Sequence, residues 1–274
     1  MNAQLFSLFK LFYILVLSVL AMPAFSGAFM DNFDDGHASV INETGAMAES
    51  LDSRWWLNSG GYIYRTGNTA STIHGDLVDT DPFRVMYSRS NPSDTDNGYH
   101  PQNLLRWVTR AKFKNFTQQV FFNINKINLS TSSNRNQSNG VFFFHRYQDG
   151  KNLYYLGIRV DGAAVIKKKL DGQYYTLKSV QIYPGNYHHD TLPNLLPTER
   201  WIGLRTVIRD KANDMVSLVL YLNDKQLGPG WTKVIEVDDT GSDIDTLMDE
   251  GYAGIRTDFM DVSFDDYEAI EDPR

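Results

Sequence analysis

Residues 140–177 constrain the fold of this chain more than any other segment. Apolar and polar residues alternate there with the period of a β-strand, and an Asp-Gly pair interrupts the alternation at Asp149, Asp161 and Asp171. Asp-Gly between alternating runs is a strong signal for a tight hairpin turn. The segment therefore predicts an antiparallel meander of four strands, over residues 141–147, 153–160, 164–169 and 174–177.

Cationic side chains are concentrated in these four predicted strands. Six of them lie among Phe, Tyr, Val and Ile residues: His145, Arg146, Arg159, Lys167, Lys168 and Lys169. Aromatic rings stack on the faces of sugar rings, and Arg or Lys pairs with carboxylate or sulfate groups. A sheet face of this composition suits an anionic sugar chain. The alternative is that the same side chains are solvated residues on the outer face of an ordinary sandwich.

The first 26 residues have the pattern of a secretory signal peptide. Lys10 precedes a short apolar run, which is followed by Pro23 and by small residues ending at Ser26. This run is too short for a membrane span, and no later stretch reaches the roughly 20 apolar residues that a span needs. We therefore expect residues 27–274 to be secreted as a single β domain that is monomeric and not membrane-bound.

Charge and cysteine content narrow the functional classes. The formal net charge is −7, and segment 1–26 contains one lysine and no acidic residue, so residues 27–274 carry −8. An acidic chain is not expected to bind nucleic acid, although a local cationic cleft can coexist with an acidic exterior. The sequence has no cysteine. An exported chain without disulfides must depend on core packing, or on a bound ion, for its stability.

The remainder of the chain also consists of short alternating segments. Residues 201–210 and 215–223 predict a β-hairpin, and residues 83–88 predict a strand within a long loop. Residues 244–250 predict the one helical turn of note. With about a dozen short strands and almost no helical periodicity, the chain is predicted to be all-β, folded as a two-sheet antiparallel sandwich.

Two acidic segments near the ends of the chain predict a calcium site. Asp34 and Asp265 each follow a Phe in a Phe-Asp-Asp sequence. The two segments become neighbours if the first and last strands pair, as they do in closed jelly rolls. Clustered carboxylates repel unless a hard cation lies between them, and calcium is bound by such oxygen ligands. The alternative is that these are solvated acids in turns.

The residue types in the strands favour elimination over hydrolysis. A glycosidase needs two carboxylates flanking the scissile bond, but the predicted strands carry His, Arg, Lys, Tyr and Asn, and the carboxylates collect in turns. Cleavage of a uronate polymer by β-elimination needs a cation to neutralise the C6 carboxylate, a base for the C5 proton and an acid for the departing O4. The strands supply all three types.

Several motifs resemble those of known carbohydrate-active families. The sequence Arg146-Tyr-Gln-Asp149 with the following strands, and Gly254-Ile-Arg256 with Phe264-Asp265-Asp266, resemble the core of concanavalin A-like (laminin G-like) jelly rolls. This resemblance covers most of residues 27–274 and implies a fold that lectin modules and enzymes share. We therefore expect a β-jelly roll.

A narrower resemblance is to the jelly-roll ulvan lyases, polysaccharide lyase family twenty-eight. It is carried by four segments: Tyr87-Ser-Arg-Ser-Asn-Pro92, His100-Pro-Gln-Asn103, Arg106-Trp-Val-Thr-Arg110 and Gly157-Ile-Arg-Val-Asp-Gly162. The resemblance implies an exported enzyme that cuts a sulfated rhamnose–uronate polymer and carries a structural calcium. Jelly-roll alginate lyases are a second comparison. Here Arg106 and Arg110 match their arginine strand, but its Glu is missing, and Arg256 stands where a second Tyr is expected.

We assign roles to the candidate site residues on this basis. Arg110, with Arg106 behind it, is the predicted neutraliser of the carboxylate. His145 is the predicted base, with Lys126 as the alternative base, and Tyr252 is the predicted acid. The predicted substrate contacts are Arg106, Asn123, Arg159, Lys167 and Arg256.

The predicted function is that of a secreted polysaccharide lyase acting by β-elimination on an anionic, uronate-containing polymer of the ulvan type. A non-catalytic carbohydrate-binding module of the same fold is the alternative, because the same cations and aromatic rings would suffice for binding. A glycoside hydrolase is disfavoured by the lack of paired carboxylates in the strands.

Overall fold

A computed structural model describes residues 27–34, 36–242 and 244–272. The predicted signal peptide, residues 1–26, lies outside the described residues. Within them, no helix combines the length and apolar character that crossing a membrane requires.

Strands dominate the described residues. The sixteen strands found there are β1 (Ala28–Asp31), β2 (Ser39–Asn42), β3 (Trp55–Ser59), β4 (Tyr62–Arg65), β5 (Ala70–Thr72), β6 (Leu104–Phe113), β7 (Phe116–Ile127), β8 (Gly140–Asp149), β9 (Asn152–Arg159), β10 (Ala163–Leu170), β11 (Gln173–Gln181), β12 (Trp201–Asp210), β13 (Val216–Asn223), β14 (Trp231–Asp239), β15 (Gly251–Asp258) and β16 (Met260–Glu271). One α-helix, α1 (Pro82–Ser90), and two 3₁₀ turns, Met47–Glu49 and Pro101–Asn103, complete the described elements.

The strands form two antiparallel sheets. The nine-stranded sheet has the order β14-β13-β12-β7-β16-β5-β4-β2, with β1 also paired to β16, and the seven-stranded sheet has the order β11-β10-β9-β8-β15-β6-β3. One hydrophobic core between them takes residues from both, such as Phe122 and Leu204 from the first sheet and Phe143 and Ile255 from the second. The prediction of an all-β, two-sheet antiparallel jelly roll is confirmed.

The predicted meander is confirmed as strands β8 to β11. Consecutive strands pair antiparallel, with Phe143 opposite Leu156 and Lys168 opposite both Tyr154 and Tyr175. Each predicted Asp-Gly turn joins two of these strands. Gly162 illustrates why glycine is required, because its φ is +81° and a Cβ atom there would lie 2.1 Å from the carbonyl oxygen of Tyr183.

The terminal strands also pair as predicted. Strand β1 runs antiparallel to β16, from Ala28 opposite Ile270 to Asp31 opposite Tyr267. The predicted hairpin over 201–210 and 215–223 corresponds to β12 and β13, which pair from Gly203 opposite Asn223 to Asp210 opposite Val216.

Two local predictions were wrong. Residues 83–88, predicted as a strand, belong to α1, because Asp81 caps the helix by accepting hydrogen bonds from the backbone N–H groups of Phe83 (2.8 Å) and Arg84 (3.3 Å). Pro82 occupies the first helical position, where its missing N–H costs nothing. The segment 244–250, predicted as a helical turn, contains no helix.

Candidate functional site

A groove of about 500 Å³ opens on the outer face of the seven-stranded sheet. The alternation of each strand explains its lining, because core residues such as Phe143 and Ile255 point inward and their neighbours Phe142 and Arg256 point outward. Loop residues from 91–103 and 128–139 close one side of the groove. The groove therefore combines a rigid strand floor with a polar loop wall.

Strand pairing brings three cations to this groove. Arg106 on β6 lies directly opposite Arg256 on β15, and Arg256 in turn lies opposite Phe142 on β8. Lys167 on β10 lies opposite Tyr155 on β9. All five side chains line the groove. In the strand order Tyr155 and Phe142 are neighbours, with Lys167 on one side of them and the two arginines on the other.

A buried carboxylate fixes the orientation of Arg256. The Nε atom of Arg256 donates a hydrogen bond of 2.8 Å to Oδ1 of Asp258, and the guanidinium carbon lies 5.4 Å from the centre of the Tyr155 ring. Asp258 is 4% exposed, and its Oδ2 atom has no hydrogen-bond partner among the described residues. Asp258 thus holds the Nε edge of the Arg256 guanidinium in the groove, and the Oδ2 atom of Asp258 beside it accepts no hydrogen bond.

Lys167 is a cation without a carboxylate partner. No hydrogen bond or ion pair of its ammonium group exists within the described residues, and it is only partly exposed. Burial lowers the pKa of Lys167, and the positive charges of Arg159 and Arg256 lower it further. An anion in the groove would relieve both effects.

Two tyrosines in the groove have opposite pKa shifts. Burial raises the pKa of Tyr155 to about 12. Burial would also raise the pKa of the half-exposed Tyr174, but the nearby charge of Arg256, its hydrogen bond to the phenol oxygen and the charge of Lys169 outweigh burial, so the pKa of Tyr174 is lowered. Lys169 Nζ lies 4.7 Å from the Tyr174 ring centre. Tyr174 is therefore favoured as a phenolate relative to an ordinary tyrosine.

The loop wall is held by hydrogen bonds between loops. The carboxylate of Asp94 accepts bonds from the hydroxyl of Ser132 and from Nδ2 of Asn134, at 3.1 and 3.2 Å to its two oxygens. Arg135, which is largely buried, donates from NH1 to the carbonyl oxygen of His189 (2.8 Å). The wall residues that face the groove are thus fixed by contacts behind them.

The structure brings some of the predicted site residues together. Arg106, Lys167 and Arg256 line the groove. Arg159 lies beside it, where its charge acts on Lys167, while its guanidinium pairs with Asp161 and donates to the carbonyl oxygen of Gln137 (3.1 Å).

His145, the predicted base, lies inside the sandwich. Its side chain is fully buried, with Nε2 2.5 Å from Oγ1 of Thr206 and the ring centre 4.6 Å from that of Phe116. Burial, with a contribution from the charge of Arg146, lowers the pKa of His145 to about 3. A polymer cannot reach this position, so the prediction is corrected: the imidazole points from β8 into the core and not into the groove.

Lys126 and Asn123 lie on the other sheet. Both belong to β7, where Phe122 and Ile124 face the core, and Asn123 therefore faces outward from the nine-stranded sheet. Lys126 is exposed near the end of the same strand. The sandwich thickness separates both from the groove, so the predicted roles of Lys126 as base and Asn123 as groove contact are corrected.

Arg110 and Tyr252 belong to the seven-stranded sheet but do not line the groove. Arg110 donates from NH1 to the carbonyl oxygens of Asp52 (2.7 Å) and Ser50 (3.4 Å). Tyr252 lies four residues from Arg256 on β15, roughly 13 Å at the usual strand rise. The predicted catalytic set of Arg110, His145, Lys126 and Tyr252 is therefore not assembled at one place.

The predicted calcium ligands do not form a metal site within the described residues. Burial raises the pKa of Asp265, and the charges of Asp266 and Asp34 contribute, which indicates that the two acidic segments are neighbours. No group of three or more acidic, His or Cys residues suited to a metal occurs in the described part of the chain, from which Asp35 is missing. Calcium prefers six to eight oxygen ligands, and the described residues do not assemble such a set around Asp34 and Asp265.

Sequence reasoning missed Tyr155, Tyr174, Asp258 and Asp94. Strand pairing across the Asp161-Gly162 turn places Tyr155 directly opposite Lys167 and therefore on the same face of the sheet. For Asp258 the signal is its position two residues after Arg256, which leaves both on one side of β15. Asp94 lies in an irregular loop, where no periodicity indicates direction.

Comparisons with known proteins identify no family. No family model matches the chain, and a search of curated proteins finds no match. Solved structures of similar fold include a carbohydrate-binding module, CBM66, from Bacillus subtilis, with 13% identity and a TM-score of 0.43, covering 91% of this chain and 97% of that one.

Two enzymes are also among the similar structures. A prokaryotic β-1,3-1,4-glucanase (lichenase) from a mouse hindgut metagenome has 12% identity and a TM-score of 0.44, covering 90% of this chain and 99% of that chain. The GH43 protein BlXynB from Bacillus licheniformis has 13% identity and a TM-score of 0.44, covering 88% of this chain and 39% of that one. At these identities and TM-scores the fold assignment rests on the two sheets of this chain, and no function follows.

Proposed function

We propose that this protein is a secreted lyase that cuts an anionic, uronate-containing polysaccharide of the ulvan type by β-elimination in the groove. The observation that carries the proposal is the environment of Tyr174. Tyr174 lines the groove together with Arg256 and Lys167, and the positive charge of Arg256 lowers the pKa of its phenol group although burial raises it. Lys167 has no hydrogen bond or ion pair within the described residues.

Binding of an anionic sugar chain follows from the groove lining. Arg106, Lys167 and Arg256 can pair with carboxylate or sulfate groups, which charge-assisted hydrogen bonds favour over neutral groups. Tyr174, which is 51% exposed, offers a ring face for sugar stacking, whereas Phe142 and Tyr155 are each 3% exposed and form the floor beneath it. The loop amides, Asn134 among them, can accept or donate hydrogen bonds to hydroxyl groups.

Elimination needs one proton to leave the sugar and one to reach the leaving group. Arg256 and Arg106 pair with the C6 carboxylate, which makes the C5 proton more acidic. The Tyr174 phenolate takes that proton, the C5–H electron pair forms the C4=C5 double bond, and the C4–O4 bond breaks. The phenol of Tyr174 then returns the proton to O4 of the departing sugar. One tyrosine thus serves as base and acid, as a syn elimination permits.

Hydrolysis is a weaker explanation for the same groove. Two carboxylates line it, Asp94 and Asp258, as a glycosidase would require. Both are engaged in holding other groups, because Asp94 accepts from Ser132 and Asn134, and Asp258 accepts from Arg256. Carboxylates committed in this way position the groove and are poorly placed to protonate a leaving group or activate water.

The alternative function is carbohydrate binding without catalysis. The observation that favours it is that cations and aromatic rings in the groove account for binding by themselves. Incubation with ulvan, alginate and glycosaminoglycans, with ultraviolet absorbance of the unsaturated uronate as readout, separates the two. A rise with one polymer supports the lyase. Retained binding to a polymer without any rise would leave the binding module as the function.

Tyr174→Phe tests the catalytic assignment directly. The variant keeps the ring and loses the proton-transferring oxygen, so we expect kcat to fall about 10²- to 10⁴-fold, the usual contribution of a general acid–base group, with polymer binding retained. Tyr252→Phe is the matched control, because Tyr252 lies on the same sheet outside the groove lining. If Tyr252→Phe abolishes activity and Tyr174→Phe does not, the two assignments are reversed.

The pH dependence gives a second test of Tyr174. Activity is expected to rise with pH as Tyr174 loses its proton, with an apparent pKa below the ordinary tyrosine value of about 10. Loss of the charge of Lys167, whose pKa is also lowered, is expected to weaken binding of the anionic polymer at alkaline pH. Arg256→Gln should move the rising limb of kcat/KM to higher pH. A rising limb that does not move would remove Tyr174 as the base.

A further inference from the structure

The outer face of the nine-stranded sheet carries a second group of aromatic side chains, far from the groove. We call it the aromatic patch and define it by Phe121, Asn123, Trp201, Arg205 and Trp231. Trp201 is 44% exposed, which is unusual for a large aromatic side chain. The patch is not part of the groove, which opens on the opposite sheet.

Strand register explains why these side chains meet. Trp201 lies opposite Asn123, and Gly203 lies opposite Phe121 on one side and Asn223 on the other, with Asn223 opposite Trp231. A Cβ atom at Gly203 would lie 2.7 Å from Cη2 of Trp231 and 3.1 Å from Cε1 of Phe121. The missing side chain therefore leaves the space that the two rings occupy over the sheet.

Arg205 is held in the patch with part of its guanidinium unused. Its guanidinium carbon lies 4.0 Å from the ring centre of Trp231, and its Nε donates to Oε1 of Gln119 (2.8 Å). Gln119 is fixed in turn by a bond from Nε2 to Oε2 of Glu268 (2.9 Å). The NH1 and NH2 groups of Arg205 make no hydrogen bond among the described residues, and the negative charge of Glu268 acts on the guanidinium.

We propose that the aromatic patch is a second binding surface for an anionic polysaccharide strand. A sugar ring stacks on the exposed face of Trp201, and the two free NH groups of Arg205 take a carboxylate or sulfate of the same strand. Asn123 lies directly opposite Trp201 on the neighbouring strand. Trp201 and Trp231 are roughly 12 Å apart by strand spacing and rise, enough for more than one sugar ring.

The role of the patch is to hold polymer while the groove acts on it. This inference rests on the proposed function only for the choice of polymer. Affinity electrophoresis in gels containing ulvan measures it, in a Tyr174→Phe background that leaves the polymer intact. Trp201→Ala and Arg205→Gln are each expected to weaken ulvan binding roughly three- to tenfold, the scale of one aromatic or charged contact.

Ile270→Ala is the matched control, because Ile270 is also an exposed apolar residue on the outer face of this sheet and is not part of the patch. Thermal melting verifies that each variant folds. The inference is overturned if both patch variants migrate like Ile270→Ala, or if Trp201→Ala changes only the sedimentation of the protein, since the patch then binds a second copy of the chain.

The outcome is separable from that of the proposed function. If ulvan is not cut by the unmodified chain and Trp201→Ala still weakens binding, the patch stands and the lyase does not. If ulvan is cut and both patch variants bind it normally, the lyase proposal is supported and the patch proposal is rejected. With both intact, Trp201→Ala should raise KM for long ulvan and leave kcat on short fragments unchanged.

Discussion

Lys167 and Lys168 are neighbours on β10 with opposite surroundings. Lys168 is 2% exposed and points between the sheets, where its Nζ lies 2.9 Å from Oδ2 of Asp239 and donates to the carbonyl oxygens of Ile244 (2.7 Å) and Asp245 (2.9 Å). Lys167 points into the groove and has no acceptor among the described residues. The same side chain is thus fully satisfied by the protein on one face and left for a ligand on the other.

Arg146 and Arg256 repeat the contrast. Arg146 is fully buried and uses all its nitrogens within the protein, with bonds to Oδ1 of Asp210 (2.6 Å) and to the carbonyl oxygens of Leu247 (2.6 Å) and Lys114 (3.1 Å). Arg256 is held by Asp258 through Nε and keeps its terminal groups toward the groove. Interior cations stabilise the fold, whereas groove cations are available for an anion.

The largest expected effect is on stability, from Lys168→Met. Removing the ammonium leaves the buried carboxylate of Asp239 without its charge partner, which costs about 3–5 kcal/mol for a buried pair. Equilibrium denaturation in urea measures the loss. Lys167→Met serves as the control and should change the free energy of unfolding little. Equal losses in the two variants would contradict the division between interior and groove cations.

His145 gives the next largest effect, through pH. The pKa of His145 is lowered to about 3 when folded, against about 6.5 for an unfolded histidine. Below about pH 6.5 the unfolded chain binds a proton that the folded chain does not. The free energy of unfolding therefore decreases as the pH is lowered, by up to about 1.4 kcal/mol per pH unit. His145→Gln should remove this contribution.

Chemical denaturation at about pH 7 and about pH 5 measures the difference. His74→Gln is the control, because His74 is exposed and its replacement should leave the pH dependence as it is. A pH dependence that is the same in the His145→Gln variant and the unmodified chain would place His145 in contact with solvent, contrary to its position in the core.

The sequence predicted the parts of this molecule that are controlled by local pattern. Period-two alternation and Asp-Gly turns located β8 to β11, and the pairing of the first and last strands expected of a closed jelly roll is found between β1 and β16. Arg106, Lys167 and Arg256 were also correctly grouped, because each lies at an outward position of a regular strand. The helix was missed although Asp81-Pro82 is a strong helix start.

Whether a side chain faces the core or the solvent was harder to predict than the position of its strand. The pairing of β8 shifts between His145 and Asp149, and at such an irregularity period-two counting no longer tells which side chain faces the core. Both His145 and Arg146 are buried in consequence. Lys126 and Arg110 were grouped with the groove by residue type alone. Which sheet each strand joins depends on long-range pairing, and local sequence carries little information about it.

The smallest expected effect sharpens the comparison at the groove. Lys167→Met should weaken ulvan binding by about 1 kcal/mol, or roughly fivefold, because an exposed or half-buried charge contact contributes modestly. It should also flatten the salt dependence of binding, since screening acts on the lost contact.

Lys211→Met is the matched control: Lys211 already pairs with Asp238 at 2.8 Å, and its loss should leave affinity unchanged. Binding titrations at two salt concentrations measure both. If Lys211→Met weakens binding as much as Lys167→Met, the polymer responds to the overall charge of the protein and not to a cation left unpaired in the groove.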